Sequence, residues 1–299
     1  MKSEEVKAQL LSVSDWRHPF QLEDGTWVKM FRDWFKDWHL WRIEKLMPTI
    51  ETIAGCILPE GIKNTRVLDT GCWDGFYGFE FLKRGAGHLK GIDLRKEAIR
   101  RANMVKEYFG YVDSEFEIQN LQDIDPKKES FDITLLYGLL YHLSAPIDVL
   151  VNLGKMTNSM LLISTYASRE PEPILKIKRE NPEKDSTGFQ EMITTPSEQA
   201  VVEMLDFAGF DLILRDYPYP FYERYRNSDF GFFYAIKTYG SDEKKKAIYK
   251  ALNITESYNR DLKKHQIVHL KPIRLGITPK KTVKQRVRSK IHAIIDKTL

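Results

Sequence analysis

Two carboxylates and two glycines are the first residues whose types and spacing could hold a ligand. Val67-Leu68-Asp69-Thr70-Gly71-Cys72-Trp73-Asp74-Gly75-Phe76-Tyr77-Gly78 reads as a strand ending on an acid, then a glycine loop, then a helix start. A second acid, Asp93, ends the next apolar run, LKGID. Glycines in such a loop let the chain turn sharply and let a ligand approach the main chain. A dinucleotide loop needs G-x-G-x-x-G so that a pyrophosphate can meet a helix N-terminus. Counted from Gly71, positions 73 and 76 are Trp and Phe, so that pattern fails, and no Gly-Lys-Ser/Thr follows to make a Walker loop. A carboxylate ending the second strand can accept hydrogen bonds from both hydroxyls of a ribose. Asp69, directly or through water, would lie near an ammonium or sulfonium. The constellation therefore suits a ligand with a ribose, a cationic amino-acid end and no phosphate. The competing reading has both acids only capping turns and helices.

Three other groups could do chemistry. His142 follows the run FDITLLY and has an ordinary pKa of about 6.5, which suits a general base near neutrality. A structural histidine bonded to nearby backbone is the equally open alternative. Tyr141 beside it could orient an acceptor or line the ligand pocket. Cys72 offers a small side chain in the glycine loop, with no evident cation or histidine to make it a nucleophile. His265 and His269 have metal-ligand spacing on a helix, but without the glutamate of a zinc-protease motif they read as surface residues.

These residues need a scaffold, and the pattern supplies one. Strand-like runs at 65–69, 89–93, 116–119, 131–136 and 160–164 alternate with helix candidates at 76–84, 96–109 and 146–156. Such alternation predicts an α/β fold with a mostly parallel sheet covered on both faces, and ligands bind outside the carboxyl ends of its strands. Thr195-Pro196-Ser197 predicts a helix start running to about Ala208, with Thr195 as cap and Pro196 in the first turn. Runs at 211–215 and 232–237 then read as two antiparallel strands at the sheet edge. Before the sheet, residues 1–60 read as a helical cap in which Trp34, Trp38 and Trp41 share one face, with Pro48 following. That face is core or a lid over a ligand pocket. The stretch 169–193, polar and holding Pro171, Pro173 and Pro182, reads as a mobile loop or lid. The acceptor pocket is expected from 16–41, this lid and 217–229, including the aromatic run Tyr217 to Tyr222.

Composition sets the frame. The chain has 299 residues, 42% of them apolar and 29% charged, enough to bury a core. Its longest nearly unbroken apolar run, Ile133 to Tyr141, is far short of a membrane span of about 20 residues. The opening segment carries Glu4 and Glu5 where a secretory signal would be apolar, so a cytoplasmic location is expected. Two cysteines, Cys56 and Cys72, make neither a disulfide framework nor a four-thiolate metal site. Residues 241–299 hold 16 Lys and Arg against 5 Asp and Glu, leaving 30 against 37 in the rest. An acidic body argues against a nucleic-acid groove in the main domain, while a basic tail could meet an anionic partner.

The sequence resembles the class I S-adenosylmethionine-dependent methyltransferases. VLDTGCWDG matches their first motif, GIDL at 91–94 their second, and FDITLLYGLLYHL at 131–143 the motif on their fourth strand. Within that superfamily it carries marks of the tRNA wobble-uridine carboxymethyltransferases and their relatives. These are Trp41-Arg42 through Pro48, Gly138 to His142, and Pro196-Ser197 through Gly209-Phe210. The resemblance implies a Rossmann-like fold with a central, mostly parallel seven-stranded sheet, helices on both faces, an N-terminal helical cap (1–60), a cofactor-binding domain (61–240) and a helical C-terminal extension (241–299). It implies that Asp69, Gly71 and Gly75 line S-adenosylmethionine, that Asp93 and Leu94 hold its ribose, and that Leu121 and Gln122 border the adenine. Tyr137 and Tyr141 would flank the methionine end, and the small side chain of Cys72 in the glycine loop fits against the cofactor. The tRNA enzymes carry a lysine for the carboxylate of a carboxylated cofactor, where this chain has His18 or a gap; a second lysine of theirs is matched by Arg42. Plain S-adenosylmethionine is the expectation that follows.

Three function classes result. The first is methylation of a small molecule or glycan precursor at a hydroxyl, with His142 as base. The second is tRNA modification, which ranks lower because of the missing lysine and the acidic body. The third is cofactor binding without catalysis. In the tail, Val283, Val287, Ile291, Ile294 and Ile295 form one stripe of a basic amphipathic helix, predicting self-packing, a partner or second copy, or contact with an anionic membrane face.

Overall fold

The computed structural model describes residues 4–168, 170–181, 192–216 and 230–254, and the backbone of 267–269. The predicted alternation is present. The strands β1 (Arg66–Thr70), β2 (His88–Asp93), β3 (Ser114–Ile118), β4 (Phe131–Tyr137) and β5 (Thr157–Tyr166) are parallel and lie in the order β5-β4-β1-β2-β3. Between them run α3 (Phe76–Leu82), α4 (Lys96–Phe109) and α5 (Pro146–Met156). After a two-stranded ribbon, β6 (Leu175–Arg179) and β7 (Met192–Pro196), comes α6 (Glu198–Phe207). The strands β8 (Leu212–Asp216) and β9 (Phe230–Ile236) follow, and β9 lies antiparallel between β5 and β8. The sheet is thus the expected seven strands, mostly parallel, with a short eighth strand, β10 (Ile267–His269), parallel to β8.

Chain direction across the sheet reverses between β1 and β4. From β1 the chain proceeds to β2 and β3 on one side and later returns to β4 on the other. The loops after these two strands therefore diverge and leave a crevice at the carboxyl edge. Alternating side chains fill the two faces. Val67, Leu89, Ile133, Leu135, Leu162 and Tyr234 pack under the N-terminal helices with α3 and α4. Leu68, Ile92, Leu136, Ile163 and Phe233 pack under α5 and α6.

Several expectations need correction. The cap consists of α1 (Glu4–Ser12), an irregular stretch and α2 (Asp33–Ile57), and α2 runs through Pro48. Pro48 is tolerated because it lies on the exposed side, where the Glu44 carbonyl it leaves unbonded can face water. Of the three tryptophans on α2, only Trp38 is core; Trp34 is 37% exposed, and Trp41 is half-buried with its ring stacked on Trp38. The start of α6 falls later than predicted, with Ser197 as its cap through a 3.1 Å bond from the Ala200 amide, while Thr195 and Pro196 end β7. Half of the described part of 169–193 is not loop but ribbon. After Gly240, α7 (Asp242–Ala251) buries Ile248 in the core shared with α2. The backbone of His269 is extended in β10, so the His265/His269 spacing is not helical there; His265 and the stripe at 283–295 lie outside the described residues. No helix among the described residues is long and apolar enough to cross a membrane.

Candidate functional site

The glycine loop after β1 is wound by two left-handed glycines, Gly71 at φ 65° and Gly75 at φ 80°. At Gly75 a Cβ would also come within 2.7 Å of the Phe79 ring, so the position is closed to larger residues. Trp73 between them holds φ 52°, which is strained for a bulky side chain. Asp93, arriving on β2, braces this loop by accepting from the Trp73 amide at 3.1 Å and from the Arg95 amide at 2.9 Å. Register makes the meeting inevitable: Asp69 pairs with Gly91 and Thr70 with Ile92, so both strands deliver their acids to one edge.

Asp69 is 3% exposed and accepts from the Gly78 amide at 3.0 Å. Among the described residues no cation pairs with it. Burial pushes its pKa up to about 8; the Gly78 bond opposes this, and the charges of Asp93 and Asp74 add to it. Burial and the same three carboxylates push the Cys72 thiol well up, which leaves it a thiol and ends any case for a nucleophile. Three carboxylates converge here, Asp93 beside the Arg95 guanidinium, Asp74 beside the His18 imidazole and Asp69 beside no cation among the described residues, and a ligand ammonium or sulfonium would relieve them. That donor set fits S-adenosylmethionine and disfavours a phosphate ligand in the same spot.

The rest of the predicted cofactor set gathers around it. Leu94 follows Asp93 and is 43% exposed at the rim. A single turn at Leu121–Asp123, capped by Asn120, buries Leu121 and carries Gln122, whose amide nitrogen lies 3.4 Å from Ser144 Oγ. Tyr137 ends β4 with its ring edge-on to Tyr77 at 5.0 Å. Arg42 reaches from α2 to the same place, donating to Ser164 Oγ at 2.9 Å with its guanidinium over Tyr77 and Tyr137. His18 does not stand in for a free cation: its Nδ1 is 2.5 Å from the buried Asp74 and its ring stacks on Phe76. His39 is bonded to the Tyr77 hydroxyl at 2.7 Å and kept neutral by burial, by His18 and by Arg42.

His142 sits in a single turn, Leu140–His142, directly after β4. Its Nδ1 is 2.8 Å from Glu180 Oε2, a residue just past β6. The ribbon is fastened to this turn, since the Thr194 amide and hydroxyl both donate to the Leu143 carbonyl, at 3.1 and 2.9 Å. Burial lowers the imidazole's pKa, Glu180 opposes this, and Arg95 adds to it. A carboxylate on Nδ1 fixes the tautomer with the proton there and makes Nε2 the basic nitrogen. Tyr141 packs its ring against His142 and Tyr166. Sequence reasoning missed Glu180, Asp74 and Ser164. The Asp74 position was visible in the loop motif; nothing in the sequence paired Glu180 with His142 across 38 positions.

A family model described as a methyltransferase domain matches residues 62–209. The tRNA U34 carboxymethyltransferase of Pseudomonas aeruginosa (strain LESB58) is 30% identical over 150 residues, 50% of this chain and 42% of that protein. The enzyme of the same description from Stutzerimonas stutzeri (strain A1501) is 26% identical over 208 residues, 69% of this chain and 59% of that one. The chain thus spans about half the length of such relatives. Among solved structures, the N-terminal domain of EvdMO1 in the presence of SAH and D-fucose superposes with a TM-score of 0.61 at 21% identity, covering 79% of this chain and 97% of that one. Residues 62–209, with their glycine loop, paired strand-end acids and switch-point crevice, are thus a methyltransferase domain with the Rossmann-like fold of the class I S-adenosylmethionine-dependent enzymes.

Proposed function

We propose that the protein methylates a hydroxyl of a small, sugar-like acceptor, with His142 as the base. The observation that carries this reading is the 2.8 Å pairing of His142 with Glu180 at the carboxyl edge of β4. When bound, S-adenosylmethionine supplies a methyl group on a sulfonium, already electrophilic, so the chain's own task is to hold the partners in line and take one proton. Asp93 and Leu94 hold the ribose, Leu121 and Gln122 border the adenine, and Asp69 faces the cationic end. Gly71, Cys72 and Gly75 line the loop, and Tyr137 and Arg42 close the far wall. At the acceptor, the hydroxyl proton passes to His142 Nε2, and Glu180 stabilises the imidazolium that forms. Because burial keeps His142 neutral at pH 7, it is ready to accept that proton. The acidic body, and a fold neighbour crystallised with SAH and D-fucose, support a small acceptor over a polynucleotide.

The test uses the full chain with methyl-labelled S-adenosylmethionine and fractionated cell extract, with and without nuclease. Label on a nuclease-resistant small molecule, lost in His142→Ala and reduced in Glu180→Gln, supports the reading. Label that disappears with nuclease would instead favour the tRNA-modifying activity named for the relatives.

A further inference from the structure

The rim of the glycine loop carries a strip in which cations and rings alternate. Arg95 lies over the Trp73 ring, 4.6 Å from its centre; Arg17 lies over the same ring at 5.3 Å and over Phe31 at 4.3 Å. Arg32 lies over Phe31 at 5.2 Å. Trp73 is the odd member. It holds a strained left-handed backbone, and its indole Nε1 is buried with no hydrogen-bond partner. Strain of this kind gathers at ligand sites, and a buried N–H without an acceptor calls for one. Phe31 is 43% exposed, so the strip opens to solvent.

Guanidinium and indole groups are donors only, so a ligand matched to the strip brings acceptor oxygens and negative charge. A guanidinium stacked by its face on a ring still aims its N–H fork in its own plane, the geometry that suits phosphate. The flat rings suit a sugar face or a base. Position ties the strip to the reaction: Arg95 pairs with Asp93 at 3.4 Å, and its charge is felt at His142.

We propose that Arg17, Arg32 and Arg95, with Trp73 and Phe31, bind the diphosphate of the methyl acceptor, which makes a nucleoside-diphosphate-linked sugar the substrate class. The acceptor's role rests on the hydroxyl-methylation reading; the anion site rests on the strip alone. A single short strip beside an acidic body fits one diphosphate better than a polynucleotide track.

The experiment titrates the full chain, saturated with S-adenosylhomocysteine, with uridine diphosphate, inorganic pyrophosphate and uridine, at low and moderate salt. Uridine diphosphate and pyrophosphate should bind, uridine should not, and added salt should weaken both. The double variant Arg17→Gln/Arg32→Gln should weaken uridine diphosphate by about tenfold or more while S-adenosylmethionine affinity stays within about twofold. If that variant does not fold, the comparison of uridine diphosphate with uridine on the wild type decides. Equal binding of the two, no binding in the millimolar range, or an unaffected folded variant overturns the proposal. So does oligouridylate that binds more tightly with length than uridine diphosphate does, which would assign the strip to RNA. Failure of the hydroxyl-methylation reading looks different: uridine diphosphate still binds, while His142→Ala leaves methyl transfer unchanged.

Discussion

Binding of S-adenosylmethionine should expel a proton from Asp69. With a pKa of about 8, this buried carboxyl is about nine-tenths protonated at pH 7. A ligand ammonium or sulfonium beside it favours the ionised form, so binding must displace that proton. The expected release is about 0.9 proton per site at pH 7, and apparent affinity should fall about tenfold from pH 7 to pH 6. Above about pH 7.7 the ligand's own amino group begins to lose its charge, so the lower window is the clean one. Calorimetric titration in two buffers of different ionisation enthalpy measures the release directly. Asp69→Asn keeps an oxygen to accept from the Gly78 amide but carries no titrating proton, so both the release and the pH slope should vanish. S-adenosylhomocysteine, which keeps the ammonium but lacks the sulfonium, identifies which charge is responsible. Affinity constant between pH 6 and 7, with heats independent of buffer, would refute the placement of Asp69 beside the cationic end. The same pKa has a sign for stability. Between about 3.8 and 8 the folded chain keeps a proton that the unfolded chain has lost, so this group's contribution declines as pH rises through that window.

Asp93→Ala should weaken S-adenosylmethionine by about 1.5–3 kcal/mol, the range for hydrogen bonds to a charged group, as read by calorimetry. His142→Ala should lower kcat by roughly two to four orders of magnitude with cofactor affinity nearly intact, measured once an acceptor is in hand. Gly91→Ala should cost about 1–3 kcal/mol in chemical denaturation, since its Cβ would lie 2.4 Å from the Phe116 ring and 3.0 Å from Cys72 Sγ. His39, buried and neutral, must be charged on acidification. Its unfolded form protonates below about pH 6.5 while the folded form resists, so stability is lost as pH falls through that range, and a thermal melt series should show a smaller loss in His39→Asn.

The legible parts of this molecule were those written within one segment. Strand-length runs bounded by turns located β1 through β5, clearest where the run is apolar, as in β4 and β5, and the spacing from Asp69 to Asp93 fixed one edge once those strands paired in parallel. Helix ends were less legible. Thr195-Pro196 reads as a start by local preference, but pairing of Pro196 with Leu175 draws those residues into the ribbon and leaves Ser197 as cap. Pro48 lies inside α2, and exposure of that side lets the helix continue through it.

Pairs made across the fold carry no local trace, and the candidate chemistry depends on them. Glu180 lies in a run of charged residues, KIKRE, that looks like a solvated edge. It reaches His142 because β6 pairs with β7, and β7 is fastened through Thr194 to the carbonyl of Leu143, the residue after the histidine. The ribbon read as a lid is thus the strut that makes His142 one half of an acid–imidazole pair. The same logic applies to His18. As a replacement for a lysine it reads as a missing cation, but its bond to Asp74 joins the cap to the glycine loop, while the charge of Asp74 still adds to that of Asp93 at Asp69. With Asp93 matched by Arg95, Asp69 is the acid with no cation among the described residues, and burial, with the charges of Asp93 and Asp74, is what holds its pKa up at about 8.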